Sequence, residues 1–103
     1  MRRLLISLLC LPGFCCAADL NCKKPTGKID SQICANPELV SLETLLTRVL
    51  DDALRDSKDK PQLEHAQQEW RHTVRDRCSD AACLREAYYA RLEAIDKIGR
   101  AHV

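Results

Sequence analysis

Glycine is scarce in this chain, with three in 103 residues, and aromatics are scarcer in proportion, with one Trp, two Tyr and one Phe. No G-x-G-x-x-G, no G-x-x-x-x-G-K and no G-x-S-x-G stretch occurs. Without them the sequence offers neither a phosphate-cradling loop nor a nucleophile elbow. Runs of alternating apolar and polar residues are missing too, which removes the signature of half-buried strands. The longest apolar stretch, Leu4 to Leu11, falls short of the ~20 helical residues needed to span a bilayer. Charge of one sign is not in excess either: formal net charge is +1. That balance argues against a nucleic-acid module and against a strongly charged membrane binder.

What is present begins with a leader. Residues 1–18, MRRLLISLLCLPGFCCAA, run from Arg2 and Arg3 through the apolar stretch to a Pro12-Gly13 break and small residues. This is the anatomy of a secretory signal peptide, with Cys16 at −3, Ala18 at −1 and cleavage before Asp19. Phe14 before Cys15, and Cys15 before Cys16, are poor flanks for lipid attachment, so no stable membrane anchor is expected. Cleavage leaves 85 of the 103 residues, enough for a single domain over 19–103 with a core of about 22–98. Fourteen of the 16 basic residues then stand against all 15 acidic ones, for a mature charge of −1. Four of seven cysteines remain: Cys22, Cys34, Cys78 and Cys83. In a short exported chain an even count reads as a disulfide framework, because so small a core needs covalent support.

Helical signals dominate the rest. A loop with Pro25 and Gly27 leads into a short helix after Thr26. Asn36-Pro37 is a helix start: Asn caps free amides and Pro has no N–H to leave unpaired. Leu39, Leu42, Leu46, Val49, Leu50 and Ala53 then recur on one face, with Leu45 and Leu54 at its edges and Thr44, Arg48, Asp51 and Arg55 opposite. The pattern ends near Ser57, before Pro61. A second helix is expected from about Pro61 to about Arg77, on the narrow stripe Leu63, Ala66, Trp70 and Val74. Ser79 or Asp80 can cap a third, whose inner face carries Leu84, Ala87, Tyr88, Leu92, Ile95 and Ile98 until Gly99 permits a stop. The expected fold is all-α: a small antiparallel bundle of three main helices with a short N-terminal helix, stapled by two disulfides.

Chemistry is thinly represented. His65, Glu69, His72 and Asp76 can line one side of the second helix and bind a metal, but at ~100° per residue that side points away from Trp70 and towards water. We therefore expect a solvated face, no metal and no cofactor. The cysteine spacings C-x11-C and C-x4-C are neither paired zinc knuckles nor a C-x-x-C redox motif. Asp51-Asp52 diverge by ~100° on a helix and would not face one substrate, so no catalytic residue and no enzyme activity are expected. Arg91 interrupts the third helix's apolar face between Tyr88 and Ile95. Its stem can pack over the core while the guanidinium snorkels or pairs with a carboxylate such as Glu43, or it can help form a polar notch that a partner fills. Tyr89 points outward.

Cys22, the segment ICANPELVSLE from Ile33 to Glu43, Gln67-x-x-Trp70, Arg75-Asp76-x-Cys78 and Cys83-Leu84-x-x-x-Tyr88-x-x-Arg91 follow one another in a fixed order. That order resembles the small secreted family named for the N-terminal domain of the mycobacterial lysozyme-inhibitor lipoprotein LprI, also known as a proteobacterial domain of unknown function. The resemblance spans Cys22 to about Ile98. It implies a compact helical domain with two disulfides, a periplasmic location and a protein partner, lysozyme, whose inhibition protects peptidoglycan; the poor flanks for lipid attachment make a free rather than an anchored protein the expectation here. A non-inhibitory envelope scaffold or adaptor is the alternative. Oligomeric state stays open. Glu43, Gln67, Trp70, Arg75, Tyr88 and Arg91 form its polar framework, for packing or for a partner. Blocking a cleft floored by two carboxylates on a basic enzyme calls for cationic groups opposite the carboxylates and acidic groups around them. Lys23, Lys24 and Lys28 suit the first role and Asp51, Asp52, Asp56 and Asp59 the second, with ordinary solvated charge as the alternative for each. Of three possible cysteine pairings, Cys22–Cys34 with Cys78–Cys83 is expected, since each pair is close in sequence and flanks a helix start.

Overall fold

The computed structural model of the chain describes residues 20–101, and the expected leader over 1–18 lies outside them. Four helices follow in order: α1 (Gly27–Cys34), α2 (Pro37–Asp56), α3 (Lys60–Thr73) and α4 (Ala81–Ala101), with a 3₁₀ turn, Arg75–Arg77, between the last two. No strand occurs among the described residues. Nor is any helix among them long and apolar enough to cross a membrane.

Each helix start has a local cause. The Asn36 side chain accepts from the backbone N–H of Glu38 and Leu39, with Pro37 at the first helical position. Asp59 caps α3 by accepting from Gln62 N at 3.1 Å, and Asp80 caps α4 by accepting from Cys83 N at 2.8 Å. Gly27 opens α1 at φ +89, a left-handed geometry that a side chain would strain.

Apolar periodicity then decides what is buried. Leu39, Leu42 and Leu46 of α2 meet Leu84, Tyr88 and Ile95 of α4 in one core that also takes in Ile33 and Trp70. Ile33, Leu39, Leu46, Leu84 and Ile95 are at most 1% exposed. Burying each such side chain contributes about 1.5–3 kcal/mol. Glu38 meets Arg85 and Glu43 meets Tyr88, so α2 and α4 run the same way. Gln67 meets Arg91 and Trp70 meets Tyr88, so α3 runs opposite to α4.

Two boundaries depart from the periodicity. The second long helix does not continue to Arg77. It stops at Thr73, and the chain tightens to three residues per turn, which rotates Val74 outward and Arg75 inward. Val74 is 43% exposed, not part of the inner stripe, and the buried Gln67 fills that face beside Leu63 and Trp70. Nor does Gly99 end α4, which runs on to Ala101: one glycine costs a helix only about 1 kcal/mol.

Disulfides Cys22–Cys34 and Cys78–Cys83 are formed, with Cα atoms 5.3 and 5.4 Å apart. The first ties the N-terminal segment to the end of α1. The second closes the corner between the 3₁₀ turn and α4.

Candidate functional site

The polar side chains that interrupt the apolar faces meet one another inside the molecule. Glu43 shares the inner face of α2 with Leu39, Leu42 and Leu46 and is 4% exposed. Its Oε1 accepts from the Tyr88 hydroxyl at 2.6 Å, and its Oε2 lies 3.7 Å from Arg71 Nη2. Tyr88 is fully buried, its ring edge-on to Trp70 with centroids 5.6 Å apart. Burial drives the Tyr88 pKa far above the ordinary tyrosine value, and the Glu43 charge and its hydrogen bond add to the rise, partly opposed by Arg75. Tyr88 is therefore a fixed neutral donor to a buried carboxylate.

Arg75 occupies the other side of Tyr88. The 3₁₀ turn aims it inward, where Nη2 reaches Asp30 of α1 at 3.4 Å and Nε donates to Asp76 Oδ1 at 2.9 Å. Burial by itself would lower its pKa. Tyr88 and Asp76 together outweigh that and hold it above the ordinary arginine value, so the guanidinium stays charged. Arg91 projects from α4 one turn beyond Tyr88. Of the options open to Arg91, pairing with Glu43 does not form: Tyr88 and Arg71 occupy that carboxylate, and Arg91 Nε donates to Gln67 Oε1 at 2.8 Å. Burial without a carboxylate partner lowers the Arg91 pKa.

Glu43, Trp70 and Tyr88 thus meet where α2, α3 and α4 pack, while Gln67 and Arg91 pair across α3 and α4 and Arg75 reaches α1 from the 3₁₀ turn. Two participants were not anticipated. Arg71 follows Trp70 directly and lies four residues after Gln67, a spacing that already places it on Gln67's side of α3. Asp30 had no such signal, because only the fold brings α1 against the corner.

The remaining candidates lie outside. His65 and Glu69 form an exposed pair at 3.9 Å, His72 is exposed, and Asp76 has turned to Arg75. No cluster of three or more metal-ligand side chains forms among the described residues. Lys23, Lys24 and Lys28 are exposed. Of the acidic set, Asp52 pairs with Arg55 and Asp59 caps α3, while Asp51 edges a groove of about 430 Å³ between the Leu20–Cys22 segment and α2.

A doubly stapled helical domain with an internal polar network and a charged exterior is the class these features define. The family model described as Lysozyme inhibitor LprI matches residues 22–101, a span holding all four bridged cysteines and all six framework residues. The chain belongs to that family. No curated protein and no solved structure matches it.

Proposed function

We propose that this protein is exported, loses residues 1–18, and acts in the periplasm by binding lysozyme and slowing its attack on peptidoglycan. Membership of an inhibitor family over residues 22–101 is the observation that carries the reading. In this reading α2, α3 and α4 form an antiparallel bundle whose interior network serves packing, and its outside serves the partner. The exposed Lys23, Lys24 and Lys28 suit the carboxylates of a lysozyme cleft, and the exposed Asp51, Asp52 and Asp56 suit the basic surface around it. With a mature charge near zero, contact chemistry matters more than long-range steering.

The test is a cell-wall lysis assay with oxidised mature protein titrated against lysozyme. Slowing that saturates with added protein is expected, and no slowing at large molar excess refutes inhibition. Substituting Lys23, Lys24 and Lys28 together by Glu then weakens inhibition at least tenfold while leaving helical content intact. An unchanged titration would move the contact elsewhere.

A further inference from the structure

Among the described residues three buried donors have no acceptor: Gln67 Nε2, Arg71 Nε and Arg91 Nη2. Nearly all buried polar groups in folded proteins are paired, so three that are not require a reason. Gln67 and Arg71 stand one turn apart on α3, and Arg91 already reaches across from α4 to the Gln67 amide oxygen. Gln67 itself is 4% exposed.

Covalent geometry pairs donors within each guanidinium. Nε and Nη2 share one edge of a guanidinium, the edge that grips an anion through two parallel bonds. In Arg91 one arm of that fork holds Gln67 Oε1. The other, Nη2, has no acceptor, and neither has Gln67 Nε2, which is bonded to the same carbon as that oxygen. Arg71 has a similar half-used edge, with Nη2 at 3.7 Å from Glu43 Oε2 and Nε facing no acceptor.

Charge points the same way. Arg75 meets Asp30 and Asp76, and Arg71 meets Glu43, but among the described residues Arg91 meets only a neutral amide. A species that suits three donors and one unmatched cation accepts hydrogen bonds only and carries one negative charge. Water fits less well, because it brings two donors of its own. A divalent oxyanion would leave excess negative charge beside Glu43.

We infer that the Gln67–Arg71–Arg91 corner is a binding site for one small monovalent anion of the chloride class, held by Gln67 Nε2, Arg71 Nε and Arg91 Nη2. The anion would join α3 to α4 at a point where the side chains alone leave their donors unmatched. This site is independent of any lysozyme contact.

Thermal unfolding of the oxidised mature protein tests it, with chloride replacing isethionate, a bulky monovalent sulfonate, at constant ionic strength. The midpoint should rise along a saturable curve, by on the order of 10 °C at a hundredfold excess over Kd. Crystals soaked in bromide should show an anomalous peak within hydrogen-bond distance of Arg91 Nη2. Gln67→Glu supplies an internal carboxylate to the same fork, so it should keep the fold and abolish the chloride-dependent rise. Superimposable unfolding curves in the two salts, bromide peaks only at other places, or an undiminished chloride response in Gln67→Glu would each overturn the assignment.

Discussion

Replacing Tyr88 by Phe removes one oxygen from the centre of the molecule and leaves the ring packed on Trp70. The oxygen lost is the one that donates to Glu43 at 2.6 Å, in surroundings where Tyr88 is 0% and Glu43 4% exposed. Hydrogen bonds to charged groups contribute about 1.5–3 kcal/mol, and here the acceptor would be left buried with only Arg71 at 3.7 Å. We therefore expect Tyr88→Phe to cost about 2–3 kcal/mol. Glu43→Gln keeps the volume but removes the charge that faces both Tyr88 and Arg71, and should cost a similar amount. Because the two substitutions remove the same interaction, the double variant should fall short of the sum by about 1–2 kcal/mol. Urea unfolding of oxidised protein measures all three, and Trp70, the single tryptophan, reports from within contact of Tyr88. The urea slope should stay constant while the midpoint moves. A Tyr88→Phe cost below about 0.5 kcal/mol, together with additive singles, would refute the view that this bond organises the interior.

Alkaline pH should act through the same residue. Tyr88 has a folded-state pKa raised above its unfolded value, so its contribution is complete below about pH 10 and is lost as pH climbs towards the folded value, at about 1.4 kcal/mol per pH unit. In a Tyr89→Phe background, where Tyr88 is the sole tyrosine, tyrosinate absorbance should appear together with loss of helical circular dichroism; tyrosinate forming near pH 10 with the helices intact would contradict it. Removing the Cys78–Cys83 bridge by paired Ala substitutions should cost about 2 kcal/mol and removing Cys22–Cys34 about 3, by loop entropy. Peptide mapping without reductant checks the pairing itself, and a Cys34–Cys78 fragment would overturn it.

Local chemistry made the helices readable. Asn36-Pro37 starts α2 where the cap demands it, the Leu39/Leu42/Leu46 spacing buries the face it marks, and the polar stretch before Pro61 separates α2 from α3. Where tertiary geometry decides, the sequence was mute. Nothing in Val74-Arg75-Asp76-Arg77 is a helix breaker, yet the chain tightens there. The tighter turn lets Arg75 reach Asp30 and Asp76, a gain invisible to a 3.6-residue period. Arg91 shows the same limit. Its position between Tyr88 and Ile95 revealed that a charge faces inward, but its choice of Gln67 over Glu43 depends on how α3 and α2 sit against α4.

Five of the six residues of the polar framework are interior ones. Glu43, Gln67, Trp70, Arg75 and Tyr88 are each at most 8% exposed, so a partner docking on the folded surface meets little of them. Their contacts join α2, α3 and α4 and tie the corner that the Cys78–Cys83 bridge closes to α1. On the proposed function, the lysozyme contact would instead be made by side chains that the core does not constrain, such as Lys23, Lys24, Lys28 and the acidic groups along α2. Two kinds of variant should consequently separate. Changes at Glu43 or Tyr88 should lower inhibition only in proportion to the fraction unfolded, whereas charge reversal at the three lysines should lower it in a protein of undiminished stability. An interior variant that stays folded and still loses inhibition would place the polar network in the contact itself.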